Sequence, residues 1–88
     1  MIHVLATITL ARGKRAEWLA IFKANMPAVH AEEGCIEYQP AVDIPSGLGA
    51  QAAVEEDQVV VIEKWASLDH LKAHGVAPHM AAYREKVK

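Results

Sequence analysis

The C-terminal third of the chain gathers groups suited to acid–base chemistry around an aromatic wall: Glu63-Lys64-Trp65, then His70 and His74, then Pro78-His79-Met80. A neutral imidazole takes up or releases a proton near neutrality. A carboxylate that shares a face with an indole is partly desolvated, so it must be paired or protonated. The indole itself offers a flat apolar surface on which an aromatic substrate can stack. His74 falls near the C-terminus of a short helical stretch, where the helix dipole favours the cation. His79 falls in the first turn of the next, where it favours the neutral ring. Two imidazoles pushed towards different protonation states can divide the work, one accepting a proton while the other steadies an oxyanion. His74, His79 and Trp65 are therefore the candidate catalytic residues.

Each has a plainer reading. Trp65 could simply close the end of a strand as a core aromatic, the histidines could lie partly exposed on the surface, and Glu63 could form an ion pair with Arg84 or a lysine. Tyr38 either hydrogen-bonds a substrate oxygen or fills the core with its hydroxyl at the rim. His70 and His74 are spaced i, i+4, which suits two metal ligands on one helix face, but two ligands do not make a site. His30-Ala31-Glu32 imitates the His-x-carboxylate of non-haem iron oxygenases; on a helix at roughly 100° per residue those side chains diverge by about 200°, and no metal is assigned. Cys35 lacks an adjacent cation or helix N-terminus to activate it, so it reads as an inert buried thiol. Asp43 reads as a polar turn residue. Glycine-rich dinucleotide or phosphate loops and Cys-x-x-Cys pairs are absent from the sequence, which removes most of the weight from flavin, nucleotide and zinc-ribbon readings.

The elements that must position these groups follow from periodicity. Ile2 to Leu10 reads as a strand, apolar enough on both faces to suggest burial on both sides. Arg12-Gly13-Lys14 is a turn. From about Arg15 to Glu33 the pattern is helical, with Leu19, Phe22, Met26 and Val29 as one apolar stripe. Pro27 should kink that helix, and Gly34 suits a left-handed cap at its end. Cys35 to Gln39 is a short strand, and Pro40 to Asp57 an irregular hairpin tip. Val59 to Trp65 is a strand whose alternation puts Val61, Glu63 and Trp65 on one face. Ser67 can cap a helix from Leu68, with Leu68 and Leu71 turned inward, and Gly75 can end it. Pro78 suits the first position of a last helix to about Val87, with Met80, Tyr83 and Val87 as its inner stripe. The order is β-α-β-β-α, most of an α+β ferredoxin-like split β-α-β unit with an antiparallel sheet, and it lacks a final strand.

Bulk properties bound the rest. A chain of 88 residues makes one domain, 1–88, and 52% hydrophobic residues is rich for that length. Burial against a second copy reconciles the two. The formal net charge of −2, without a basic stripe, argues against nucleic acid. A single cysteine fits a reducing cytoplasm. No apolar run approaches the roughly 20 residues that span a bilayer, and the N-terminus has no signal-peptide pattern.

Glu32-Glu33-Gly34-Cys35-Ile36-Glu37-Tyr38, together with Glu63-Lys64-Trp65 through Leu71, His74, Pro78-His79-Met80 and Tyr83, resembles the antibiotic biosynthesis monooxygenase family, and within it the small bacterial quinol monooxygenases. The resemblance spans nearly the whole chain. It implies a homodimer whose sheets face each other as a dimeric α+β barrel. It also implies oxygen insertion into a quinol or phenolic aromatic without flavin, haem or metal. Relatives carry a further strand after the last helix; without one, Ile2 to Leu10 becomes an apolar sheet edge. Under this reading Tyr38, Glu63, Phe22, Met80, Tyr83 and Arg84 are the candidate substrate-binding residues. Three rivals stand beside it. An isomerase of a small oxo-sugar phosphate would need a cation such as Arg84. Haem degradation is disfavoured by Ala6 at the first-strand position and by Trp65 on a strand. A dimer that binds quinones or other aromatics without turnover would need the same apolar pocket.

Overall fold

The computed structural model describes residues 1–87. Three antiparallel strands, β1 (Ile2–Thr9), β2 (Cys35–Ala41) and β3 (Gln58–Trp65), form one sheet in the order β1-β3-β2. Helices α1 (Arg15–His30), α2 (Leu68–Gly75) and α3 (Pro78–Lys86) complete the α+β unit. β3 is central because its alternate residues Val59, Val61, Glu63 and Trp65 are all buried. The partners match that phase: Ile8 lies opposite Val59, Ala6 opposite Val61, Val4 opposite Glu63 and Ile2 opposite Trp65. On the other side Cys35 lies opposite Trp65 and Tyr38 opposite Glu63, with an irregularity between Cys35 and Glu37. That bulge inserts one residue, so Cys35 and Tyr38 both turn towards the helices although their spacing is odd.

The core lies between this face and the helices: Phe22, Val29, Tyr38, Val61, Trp65, Met80 and Tyr83 form one buried cluster. The α1 stripe differs from the sequence expectation at one end. Trp18, Ile21 and Met26 pack on the cluster with Phe22 and Val29, and Leu19 lies outside it. Trp18 stacks on Phe22 at 5.2 Å between ring centroids, so the aromatic series chooses the helix rotation.

β1 also departs from expectation. Ile2, Val4, Ala6 and Ile8 pack on the core, whereas the alternate residues face outward and Leu5 is 73% exposed. The chain covers only one face of its sheet. β2 runs through Pro40 to Ala41; it is the other edge strand, where a proline is tolerated.

α1 contains Pro27 and ends at His30, one turn before the expected Glu33. The backbone N–H groups of Ala31 and Glu32 close on Pro27 and Val29, and Gly34 takes the left-handed conformation with φ of 81°. Ser67 caps α2, its hydroxyl accepting from the backbone N–H of His70, and Pro78 opens α3. Leu71 packs on the core while Leu68 is half exposed. Leu71 and His74, three apart, define the inner face of α2 instead.

Candidate functional site

The last residue of β3, the end of α2, the first turn of α3 and the α1–β2 turn meet at one buried cluster. Trp65 is fully buried, and its indole N–H donates to Glu63 Oε1 at 3.0 Å. The carboxylate of Glu63 is thus satisfied by the indole two residues on, not by an ion pair. Among the described residues no cation pairs with it. Arg84 lies on the surface and donates to the Gly75 carbonyl at 2.9 Å, where it supplies a partner and a favourable charge to the end of α2. It does not reach the cluster.

His74 is buried against two aromatic rings, Trp65 at 4.7 Å and Tyr38 at 5.4 Å between centroids. Its Nδ1 lies 2.8 Å from Glu32 Oε2, and the same oxygen lies 3.1 Å from His79 Nε2. An ionised carboxylate only accepts, so both ring nitrogens facing it carry hydrogen. The carboxylate–imidazole pair leaves the lone pair of His74 on Nε2, as in the orienting role carboxylates play beside catalytic histidines. His79 Nδ1 is buried and has no hydrogen-bond partner.

Tyr38 lies between Phe22, stacked at 5.1 Å, and His74. Burial, then the charges of Glu63 and Glu32, pushes its phenol far above the usual range. Tyr38 therefore stays a neutral O–H donor. Burial likewise pushes the Tyr83 phenol up to about 12. The Cys35 thiol is raised by burial and then by Glu32 and Glu63, which removes the thiolate that nucleophilic chemistry needs. Met80 is buried, its sulfur accepting from the Asn25 side chain at 3.3 Å. Phe22 packs edge-on to Tyr83 at 6.2 Å.

The indole and His74 thus converge in a water-poor interior, but ring contacts fill the space between them. Open space lies on the far side of His79. A crevice of about 460 Å³ between α1 and α3 is lined by Ile21, Ala24, Asn25, His79, Tyr83 and Lys86 among others, and neither Trp65 nor His74 borders it.

Sequence reasoning missed Glu32 as a site residue. It was weighed only with His30, whose ring instead bonds the Tyr38 carbonyl at 2.9 Å. The available signal was indirect: two apolar-face imidazoles need an acceptor, and Glu32 lies in the turn that follows α1. His70 also leaves the cluster, its Nδ1 bonding the Ser67 hydroxyl at 2.8 Å, so the i, i+4 histidines do not converge. Asp43 accepts from the Glu55 backbone N–H at 3.1 Å, a loop-closing role.

Residues 1–86 match the family model described as antibiotic biosynthesis monooxygenase. The chain belongs to the antibiotic biosynthesis monooxygenase family. It is 42% identical over 90 residues to the Escherichia coli K12 protein named "Probable quinol monooxygenase YgiN", covering 100% of this chain and 86% of that one. Two solved structures share the fold. A conserved protein of Methanosarcina mazei Go1 superposes with a TM-score of 0.79 at 19% identity, over 97% of this chain and 75% of that one. Rv0793 of Mycobacterium tuberculosis does so with a TM-score of 0.74 at 24% identity, over 97% and 76%. Family membership makes this chain an oxidoreductase of the monooxygenase class. Among the described residues no helix is long and apolar enough to cross a membrane.

Proposed function

We propose that this protein oxidises a quinol or a related phenolic aromatic with molecular oxygen, without a resident flavin, haem or metal, as a cytoplasmic homodimer. The observation that carries the reading is the buried His74–Glu32 pair at 2.8 Å, set against Trp65 and Tyr38. The relative named as a quinol monooxygenase supports the substrate class.

Dioxygen is a triplet, and its direct reaction with a singlet molecule is spin-forbidden. A quinol stripped of a proton is electron-rich enough to pass one electron to dioxygen itself. The two radicals then combine to a peroxide, which collapses with loss of water. The balance is quinol plus dioxygen giving hydroxyquinone plus water, with both electrons that reduce the second oxygen atom drawn from the substrate. His74 Nε2 takes the phenolic proton. Tyr38, held neutral, donates to the oxygen anion as charge develops. Trp65, Phe22, Met80 and Tyr83 exclude water, and Glu63 holds the indole in place.

The dimer reading rests on the uncovered sheet face. Leu5 and Ile36 are 73% and 54% exposed, and Val60 and Ile62 are partly exposed. Apolar residues at the centre of a sheet face call for a second layer. An oxo-sugar phosphate isomerase is less well supported, because Arg84 is engaged at the surface.

Oxygen uptake with a reduced naphthoquinone tests the reading. His74→Ala should lower turnover by about 10²–10⁴-fold, the usual contribution of a positioned base, with the circular-dichroism spectrum retained. Unchanged turnover in a folded variant removes His74 from the chemistry, and a wild type that binds the quinol but consumes no oxygen makes this a binding protein.

A further inference from the structure

We infer that Glu32 is a positioning residue that selects the tautomers of both histidines through a single oxygen, so that the site presents two imidazole lone pairs, at His74 Nε2 and His79 Nδ1. The inference rests on the quinol-oxidation reading only for its kinetic consequence.

Glu32 Oε2 is the one atom that both rings share, at 2.8 Å from His74 Nδ1 and 3.1 Å from His79 Nε2. The carboxylate side chain is 15% exposed and that of His74 is 8% exposed, so water competes weakly for these bonds. Among the described residues Glu32 has no lysine or arginine partner, which leaves the two imidazoles as its only donors. Cys35 and Tyr38, the titratable groups beside it on β2, are both kept neutral.

The two rings respond differently. Free histidine in water prefers its hydrogen on Nε2, because that tautomer separates it best from the backbone. His79 therefore donates to Glu32 in its ordinary tautomer. His74 must adopt the other one, with hydrogen on Nδ1, and only an acceptor at that nitrogen stabilises it. Remove the acceptor and His74 reverts, placing a hydrogen on the nitrogen that should accept the substrate proton. The second lone pair, at His79 Nδ1, is already buried without a protein donor. A buried acceptor left unpaired is uncommon. His79 as a residue also lines the α1–α3 crevice, while its Nδ1 is covered and meets no protein donor.

The test is nitrogen-15 NMR of the imidazoles in uniformly labelled wild-type protein, read at a pH where both rings are neutral. His74 should show a protonated Nδ1 and a bare Nε2, and His79 the reverse. In Glu32→Leu no acceptor remains for either ring, so the His74 tautomer signature should shift towards Nε2–H. Turnover of the naphthoquinol should fall at least tenfold, mainly in kcat. Glu32→Asp should restore both signals in part. A wild-type His74 with its hydrogen on Nε2 overturns the inference without any variant. So does a folded Glu32→Leu protein that keeps both tautomers and its turnover. If the wild type oxidises no quinol, the functional reading fails while the NMR still decides the role of Glu32.

Discussion

Gly34 lies between Glu32 and the first residue of β2, and replacing it by alanine should cost more than at any comparable turn. Its φ is 81°, in the left-handed region, where a Cβ costs roughly 1–2 kcal/mol. An added Cβ would also lie 2.3 Å from His70 Cγ and 2.6 Å from its Nδ1. The His70 ring must leave, breaking its 2.8 Å bond to the Ser67 hydroxyl; overpacking of this kind costs about 1–3 kcal/mol. The sum is roughly 2–5 kcal/mol, a large share of the stability of a small domain. Gly13 supplies the control. Its φ is 77°, and nothing lies within 4 Å of its added Cβ, so G13A should lose only the backbone component. The entropy that alanine removes from the unfolded chain is common to both and cancels in the difference. Urea unfolding followed by tryptophan fluorescence measures each variant. G34A should be less stable than G13A by about 1–3 kcal/mol, and H70A in the G34A background should recover part of that gap, since the His70 Cβ that alanine keeps still lies 2.7 Å from the added one, a coupling that a double-mutant cycle isolates. Equal losses at the two glycines, or a gap indifferent to His70, would refute the packing argument. Because the α1–β2 turn also carries Glu32, G34A should lower turnover in proportion to the lost His74 contact.

Trp65→Phe removes the 3.0 Å donor to buried Glu63. Losing a hydrogen bond to a charged group and the outer part of the indole should destabilise by roughly 3–5 kcal/mol, and Glu63→Gln in that background should offset part of it; thermal melts that find W65F within 1 kcal/mol of wild type count against the indole–carboxylate bond. Burial favours the neutral phenols, so their folded pKa values exceed the unfolded value of about 10. The stability this contributes is complete below that pH and is lost as pH rises from there through about 12, the value for Tyr83. Absorbance at 295 nm should show these phenols ionising only as the near-ultraviolet dichroism collapses, and a normal titration with the fold intact would contradict it. Leu5→Glu places a charge on the uncovered sheet face, where Leu5 is 73% exposed. Light scattering should then find half the wild-type mass with the secondary structure unchanged, whereas the same mass for both would exclude that face as the dimer contact.

Local chemistry made much of this protein legible from its sequence. The alternation of Val59, Val61, Glu63 and Trp65, the cap at Ser67, the left-handed turn at Gly34 and the proline that opens α3 each depend on neighbours within a few residues. The same is true of the family signature, which is carried by short stretches around Gly34 and Trp65. What remained hidden depends on which surfaces meet. Glu32 and its two histidines stand 42 and 47 residues apart, and no periodicity reports on such a pairing. For Glu63 the sequence offers a cation as one possible partner and a substrate as another, yet its position on the strand brings the Trp65 indole N–H within reach. Leu19 and Trp18 are adjacent and both apolar; stacking on Phe22 selected Trp18. Sequence specifies the elements because secondary structure is dictated by short-range sterics and hydrogen bonding. Tertiary structure decided the site because two imidazoles can share one oxygen only after α1, α2 and α3 have packed against the same end of the sheet.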